Sequence, residues 1–319
     1  SLLDGGSGAD DIRGDGAASF VAGGQGDDLI AVNATAAVVA HNRGEWFDRL
    51  RREQRATSES PALASTVFDS HLCVAEYLLY GPTPYPEVIA LARQLRAQAD
   101  EIGARAAAAF ATLVAGEAAL LAGDLEVARA DLTEAVDLHV ALDAGTGTAH
   151  ALQRLAEVEL AAGDPAEAER LLRRALTLAR WSPFARHLLQ RIYGTLVAAA
   201  PDREAALALV DEAVEASDEH QSCVLCHVMI AVPATIACAE GGRLDEARDW
   251  LRQAERSAHL WRGSAWRGAA TEARAHLRRA EGDGVEAERL LAEAADLFDA
   301  AGQPLDAQRC REAAELVDR

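Results

Sequence analysis

Aromatic residues are scarce in this chain of 319 residues, at 5%, and runs of β-branched residues are few, so the material of large sheet cores is missing. Basic charge is short as well, with Lys and Arg totalling 31 against 51 Asp and Glu, a formal net charge of −20. Such a field repels a polyanion, and no direct nucleic-acid binding is expected. There is no apolar run of about 18 residues free of charge, which excludes a membrane-crossing helix, and no basic start followed by an apolar stretch to mark export. Cysteines number five, odd in count and set mostly in apolar helical text, so they make no disulfide framework and point to a reducing, cytoplasmic compartment. No GxxxxGK[ST] phosphate loop, no basic helix-turn-helix and no Ser/His/Asp or Cys/His/Asn order in a catalytic context occurs, so no enzyme is expected. The chain begins at Ser1 without a methionine and reads as a processed product or a piece of something longer.

What is present is apolar residue in quantity, 50% of the chain, in a periodic arrangement. Five times a short acidic or glycine-bearing turn is followed by an alanine at one place in a helix: Ala128, Ala168, Ala205, Ala247 and Ala287, at intervals of 40, 37, 42 and 40. The surrounding text repeats too, as in AGDLEVARADLTEAV, AGDPAEAERLLRRAL and EGDGVEAERLLAEAA. A small residue is needed where two helices cross closely, and the leucines three and four positions on fill the neighbouring groove. About fourteen helices are predicted from Gly44 to Val317, among them Pro61 to Leu79, Arg203 to Ala216 and His220 to Glu240. Their short connections force neighbours antiparallel. The fold class is all-α, a tetratricopeptide-like superhelix over residues 42–319, preceded by a distinct Gly/Asp-rich segment over residues 1–41.

That first segment, cut in nines, reads GGSGADDIR from Gly5, GDGAASFVA from Gly14 and GGQGDDLIA from Gly23, with Leu3, Ile12, Val21 and Ile30 sharing one position. It resembles the nonapeptide repeat of calcium-binding RTX proteins. The resemblance implies a small β-roll in which Asp10 and Asp28 are the carboxylate ligands of calcium, and an extracellular setting. The middle unit departs from the pattern, with Asp15, Ala17 and Ser19 at key positions. A flexible linker and a metal-free roll packed on the first helix are the other readings of this text.

Several later stretches are similar to the C-terminal region of large actinobacterial ATP-binding transcriptional regulators of the LuxR or BTAD-like type. They are HLCVAEYLLYGPTPY from His71, HALQRLAEVELAAGD from His150, LLQRIYGT from Leu188, AVPATIACAE from Ala231 and the stretch from Glu255 to Asp283. The resemblance implies a regulatory array that senses a small-molecule effector or a protein partner, with the ATPase and DNA-binding parts elsewhere.

The sharpest local feature is His220, Cys223, Cys226 and His227. On one helix these four side chains fall within about 120° and about 11 Å of axis, a spacing that suits zinc or iron, with His71 or Cys73 as a further ligand from a neighbouring element. Packed core cysteines are the alternative. Trp261, Arg262, Trp266 and Arg267 are candidates for a ligand groove offering stacking and positive charge, or for packing anchors at a repeat junction. His71, His139, His150, His187 and His259 read as polar spots on half-buried faces. The expected function is a non-enzymatic binding and regulatory module. Two alternatives remain open, a metal- or redox-responsive sensor built on the Cys/His cluster and an extracellular calcium-dependent scaffold.

Overall fold

The turns that punctuate the repeat do two jobs in consecutive residues. In Ala122-Gly123-Asp124 the glycine takes φ of 85°, a left-handed conformation that ends one helix, and the next residue's N–H reaches back to the carbonyl of Ala119 at 2.9 Å. Asp124 then caps the following helix, its carboxylate accepting from the Val127 N–H at 3.3 Å. The same pair of devices recurs at Gly163-Asp164 and Gly282-Asp283. Asp143 supplies the left-handed residue at 53° where glycine is absent.

The computed structural model describes residues 2–4, 20–22, 36–37, 39–40, 43, 45–57, 64, 67–220 and 223–315. Its helices are α1 Trp46–Thr57, α2 Leu72–Leu79, α3 Tyr85–Glu101, α4 Arg105–Leu121, α5 Leu125–Val140, α6 Gly145–Ala161 and α7 Pro165–Ala179. They continue as α8 Ala185–Ala198, α9 Arg203–His220, α10 Val228–Glu240, α11 Leu244–Ala258, α12 Ala265–Ala280, α13 Gly284–Ala301 and α14 Pro304–Glu315. Two three-residue strands, β1 Leu2–Asp4 and β2 Phe20–Ala22, pair in parallel with Leu3 opposite Val21. That register offsets the strands by two nine-residue units.

From α3 onward sequence neighbours pack as antiparallel pairs, and α4, α6, α8, α10 and α12 also pack in series to form an inner layer. The outer helices α5, α7, α9, α11 and α13 are amphipathic, burying a stripe such as Leu171, Leu172, Ala175 and Leu176 of α7. The inner helices are covered on several sides. In α4 every residue from Ala106 to Leu120 is buried, which the run of alanines permits by keeping the helix thin. The repeat alanines sit at the inner–outer crossings, fully buried at Ala128, Ala168, Ala247 and Ala287.

The third repeat corrects the sequence reading. Asp202 caps α9, and the residue four beyond it, bonded from its N–H to the Asp202 carbonyl at 3.0 Å, is Ala206 and not Ala205. Ala206 is the buried one of the two. A second correction concerns the helix expected from His220 to Glu240. Helix α9 instead runs on to His220 and α10 begins only at Val228, leaving Cys223 to His227 as a turn. Its carbonyls are taken by partners from elsewhere: Gln190 Nε2 donates to Cys223 O at 3.3 Å, Ser257 Oγ to Val224 O at 2.9 Å, and Trp261 Nε1 to Leu225 O at 3.2 Å. Pro233 lies inside α10 and has no N–H to give Met229 O. Helix α8 crosses there so closely that a Cβ at Gly194 would stand 2.0 Å from that oxygen.

An open solenoid touches only its neighbours along the chain. This one returns on itself. Gly263 N–H donates to Tyr80 O at 3.0 Å, and Gln303 Nε2 donates to the Tyr85 hydroxyl at 2.7 Å across 218 residues. The Tyr77 and Tyr80 rings stand 5.2 and 5.8 Å from Trp261, and Tyr80 stands 4.7 Å from Trp266. The first and last repeats thus close a ring around the inner layer. No helix among the described residues is long and apolar enough to cross a membrane.

Candidate functional site: the central cavity and its buried ions

Closure of the ring leaves a half-open cavity of about 840 Å³, walled by α6, α8, α10, α12 and α14 with the C-terminal end of α4, the start of α9 and Phe298 of α13. Leu120, Leu121, Val232, Pro233, Ile236, Phe298 and Leu305 supply apolar surface, and Tyr80 and Trp266 supply rings. The chain contains no lysine, so every cationic side chain in that wall other than a histidine is an arginine. Arg309 forms a bidentate pair with Glu272 at 2.8 and 2.7 Å, and His276 Nδ1 stands 2.9 Å from Glu240.

The floor is a dry ionic network. Arg154 lies 3% exposed, with Nε donating to Glu117 Oε1 at 2.6 Å, Nη2 to both oxygens of Glu76 at 3.2 Å, and Nη1 to Glu157 at 2.9 Å and the Tyr80 hydroxyl at 3.2 Å. Arg191 Nη2 donates to Glu76 at 2.5 Å, and its other terminal nitrogen lies against His150 Nε2. Burial opposes ionisation of Glu117, but His150 and the two arginines outweigh it and hold the carboxyl well below its usual range. Burial, reinforced by Arg191, lowers His150, while Glu117 and Glu76 pull the other way. Burial pushes the Tyr80 hydroxyl far above its ordinary value, with Arg154 opposing the shift and Glu76 adding to it. Glu76, Glu117 and His150 are close enough to hold a cation, yet the two arginines already pair with Glu76 and with Glu117 Oε1, so the set is an ion-paired floor in which Glu117 Oε2 is buried without a partner.

Of the residues picked from sequence for a ligand groove, only Trp266 lines this cavity, and its Nε1 is buried with no hydrogen-bond partner. Trp261 is buried behind it, and Arg262 and Arg267 are exposed. Sequence reasoning missed Arg154 and Arg191. Their signal was periodic: Glu117, Arg154 and Arg191 stand 37 residues apart in succession, one repeat, on three consecutive inner helices.

The Cys/His cluster is rearranged by the turn. Cys223, Cys226 and His187 of α8 bring their ligand atoms within 4.8 Å of one another. His227 faces away, with Nδ1 3.2 Å from Gln190 Oε1, Nε2 2.8 Å from Gln253 Oε1, and its ring stacked 5.7 Å from Trp250. A neutral imidazole has one donor and one acceptor, so one of those glutamines must present its amide nitrogen. His71 is also engaged elsewhere, accepting from Trp46 Nε1 at 3.0 Å and meeting Glu53 at 2.5 Å. The side chains of His220 and Cys73, and all of Asp10 and Asp28, lie outside the described residues. A hydrogen bond to Cys226, with burial second, pushes the Cys223 thiol up to about 12. Cys238 and Cys310 are buried elsewhere in the core.

Comparison with known proteins agrees with this architecture. Residues 149–192, which span most of α6, all of α7 and the first half of α8, match the family model of a tetratricopeptide repeat. No curated protein matches the chain. Among solved structures, the chain is similar to a Rap protein complexed with competence and sporulation factor, with a TM-score of 0.51 and 13% identity over 97% of this chain and 88% of that one, a likeness of fold.

Proposed function

We propose that this chain is a non-enzymatic binding and regulatory module of a transcriptional regulator, receiving an extended peptide segment of a partner protein, or a small effector, in the central cavity. The observation that carries the reading is the cavity itself. Its volume is in the range of ligand sites, and its wall joins apolar surface to fixed arginine–carboxylate pairs and the unpartnered Trp266 Nε1. A tetratricopeptide repeat and a Rap-like fold support an interaction scaffold, and the Rap structure is a complex with competence and sporulation factor.

The test is selection of a randomised peptide library on the full chain, followed by titration of the selected peptides. Trp266→Leu and Ile236→Gln, both on the cavity wall, are expected to weaken binding about tenfold or more, the size of a lost aromatic anchor. Selected peptides whose affinity ignores both substitutions would place recognition on the outer surface and end the reading.

The parallel register of β1 and β2 supports a second reading, for the N-terminal segment alone. Strands offset by two nine-residue units are what a roll of nonapeptides produces, and Asp10 and Asp28 would be its calcium ligands. Calcium is then expected to raise the β signal in circular dichroism of the full chain, and Asp28→Ala to abolish the rise. An unchanged spectrum in both proteins would remove the roll.

A further inference from the structure

Cys223 and Cys226 lie on the turn before α10, and His187 lies on the first turn of α8. They are 36 and 39 residues apart, about one repeat, so the stacking of repeats brings them together. His187 Nδ1 stands 3.4 Å from Cys226 Sγ. Two ligands on a tetrahedral zinc, with bonds of about 2.3 Å to sulfur and about 2.0 Å to nitrogen, stand about 3.5 Å apart. The third atom, Cys223 Sγ, is within 4.8 Å of both, so little movement is needed to seat an ion. Cys226 is buried, whereas Cys223 and His187 are half-exposed, which leaves an approach from solvent.

The turn that carries the thiols is fixed from three sides. Gln190 of α8, Ser257 of α11 and Trp261 bind the carbonyls of Cys223, Val224 and Leu225. A thiol pair on a backbone held in this way is a preformed half of a metal site. We infer that Cys223 Sγ, Cys226 Sγ and His187 Nδ1 form a zinc site, with the fourth position open to water. Thiolates and imidazole form a donor set that zinc favours over magnesium or calcium.

Loading has a defined proton balance. Both thiols must lose their protons to solvent, so about two protons leave per zinc. Arg186 Nε now donates to His187 Nε2 at 3.1 Å, which places the ring proton on Nδ1. Metal binding shifts that proton to Nε2 and requires Arg186, an exposed side chain, to turn away. Bound zinc ties α8 to the turn entering α10, across the boundary between two repeats. A void lined by Glu76, His150, His187, Arg191 and Cys226 separates the site from the ionic floor of the cavity.

The experiment is titration of the reduced, metal-stripped full chain with cobalt(II), followed by displacement with zinc. One cobalt per chain with a thiolate-to-metal charge-transfer band is expected, bleached by zinc, together with a rise in thermal midpoint. Cys223→Ser and His187→Ala are each expected to weaken binding at least tenfold, and His227→Gln and Cys238→Ser to leave it unchanged. A chain that binds no cobalt at stoichiometric concentration, or binds it without the charge-transfer band, overturns the inference. So does a loss in His227→Gln with His187→Ala unaffected. Circular dichroism of each variant guards against misfolding, and the wild-type spectrum decides alone if a variant does not fold.

Discussion

Replacing Arg154 by methionine is expected to destabilise the chain by about 3–5 kcal/mol, read from urea denaturation at neutral pH. The guanidinium touches Glu76, Glu117, Glu157 and the Tyr80 hydroxyl together, and the first two carboxylates are 2% and 0% exposed. Methionine fills much of the same volume but leaves Glu117 in a dry site with one ring and a distant arginine, Arg191 Nη1 being 3.8 Å away. The expected loss is a large share of the roughly 5–15 kcal/mol that keeps a domain folded. The cause is an unpaired buried charge and not lost packing, which a second substitution separates. Adding Glu117→Gln removes the stranded charge while Glu76 keeps Arg191 at 2.5 Å, so the double variant is expected to recover more than half of the loss. A double variant as unstable as the single one would show that Arg154 acts through its contacts alone.

Much of this fold is legible in the text because the turns are. Gly-Asp after an alanine ends one helix and caps the next by local geometry, which needs no knowledge of distant residues. Where the motif weakens, so does the reading. In AAPDREAALAL two adjacent alanines compete and no glycine marks the helix end, and the register slips by one onto Ala205 when Asp202 in fact makes Ala206 the buried residue. The turn at Cys223 fails for another reason. Apolar spacing continues through Cys-Val-Leu-Cys as it does in a helix, and the donors that break it, Gln190, Ser257 and Trp261, come from 33 to 36 residues away.

The site is less legible than the fold, since it depends on which helices end up surrounded. Arg154 and Arg191 carry no local mark of burial in the text around them, yet α6 and α8 are inner helices. Trp266 lies on the cavity wall and Trp261 does not, although they share a motif, because Tyr77 and Tyr80 cover Trp261 from a distant part of the chain. Ring closure is a long-range event, and repeat spacing carries no trace of it.

Substituting leucine for His139 is expected to make stability less sensitive to acid, by about 2–3 kcal/mol between pH 7.5 and pH 4.5. Both ring nitrogens of His139 are buried without partners, on α5 against Gly147 of α6, where a Cβ at Gly147 would meet the ring at 2.2 Å. Burial, with His150 contributing, lowers its pKa from 6.5 to about 4. The unfolded chain therefore takes up a proton near pH 6.5 that the folded chain refuses until about pH 4, and folding loses stability as pH falls through that window. Asp69 works in the opposite direction. Burial raises it from 3.8 to about 7, so its contribution is lost as pH rises over nearly the same interval. The two tend to cancel in the wild-type profile, which makes the difference between wild type and His139→Leu the quantity to measure. That difference is expected to favour the variant slightly at pH 7.5, where an unsatisfied polar ring is exchanged for an apolar one, and to widen steadily toward pH 4.5. A difference that stays constant with pH would mean that His139 finds a partner, or water, for its ring in the folded state.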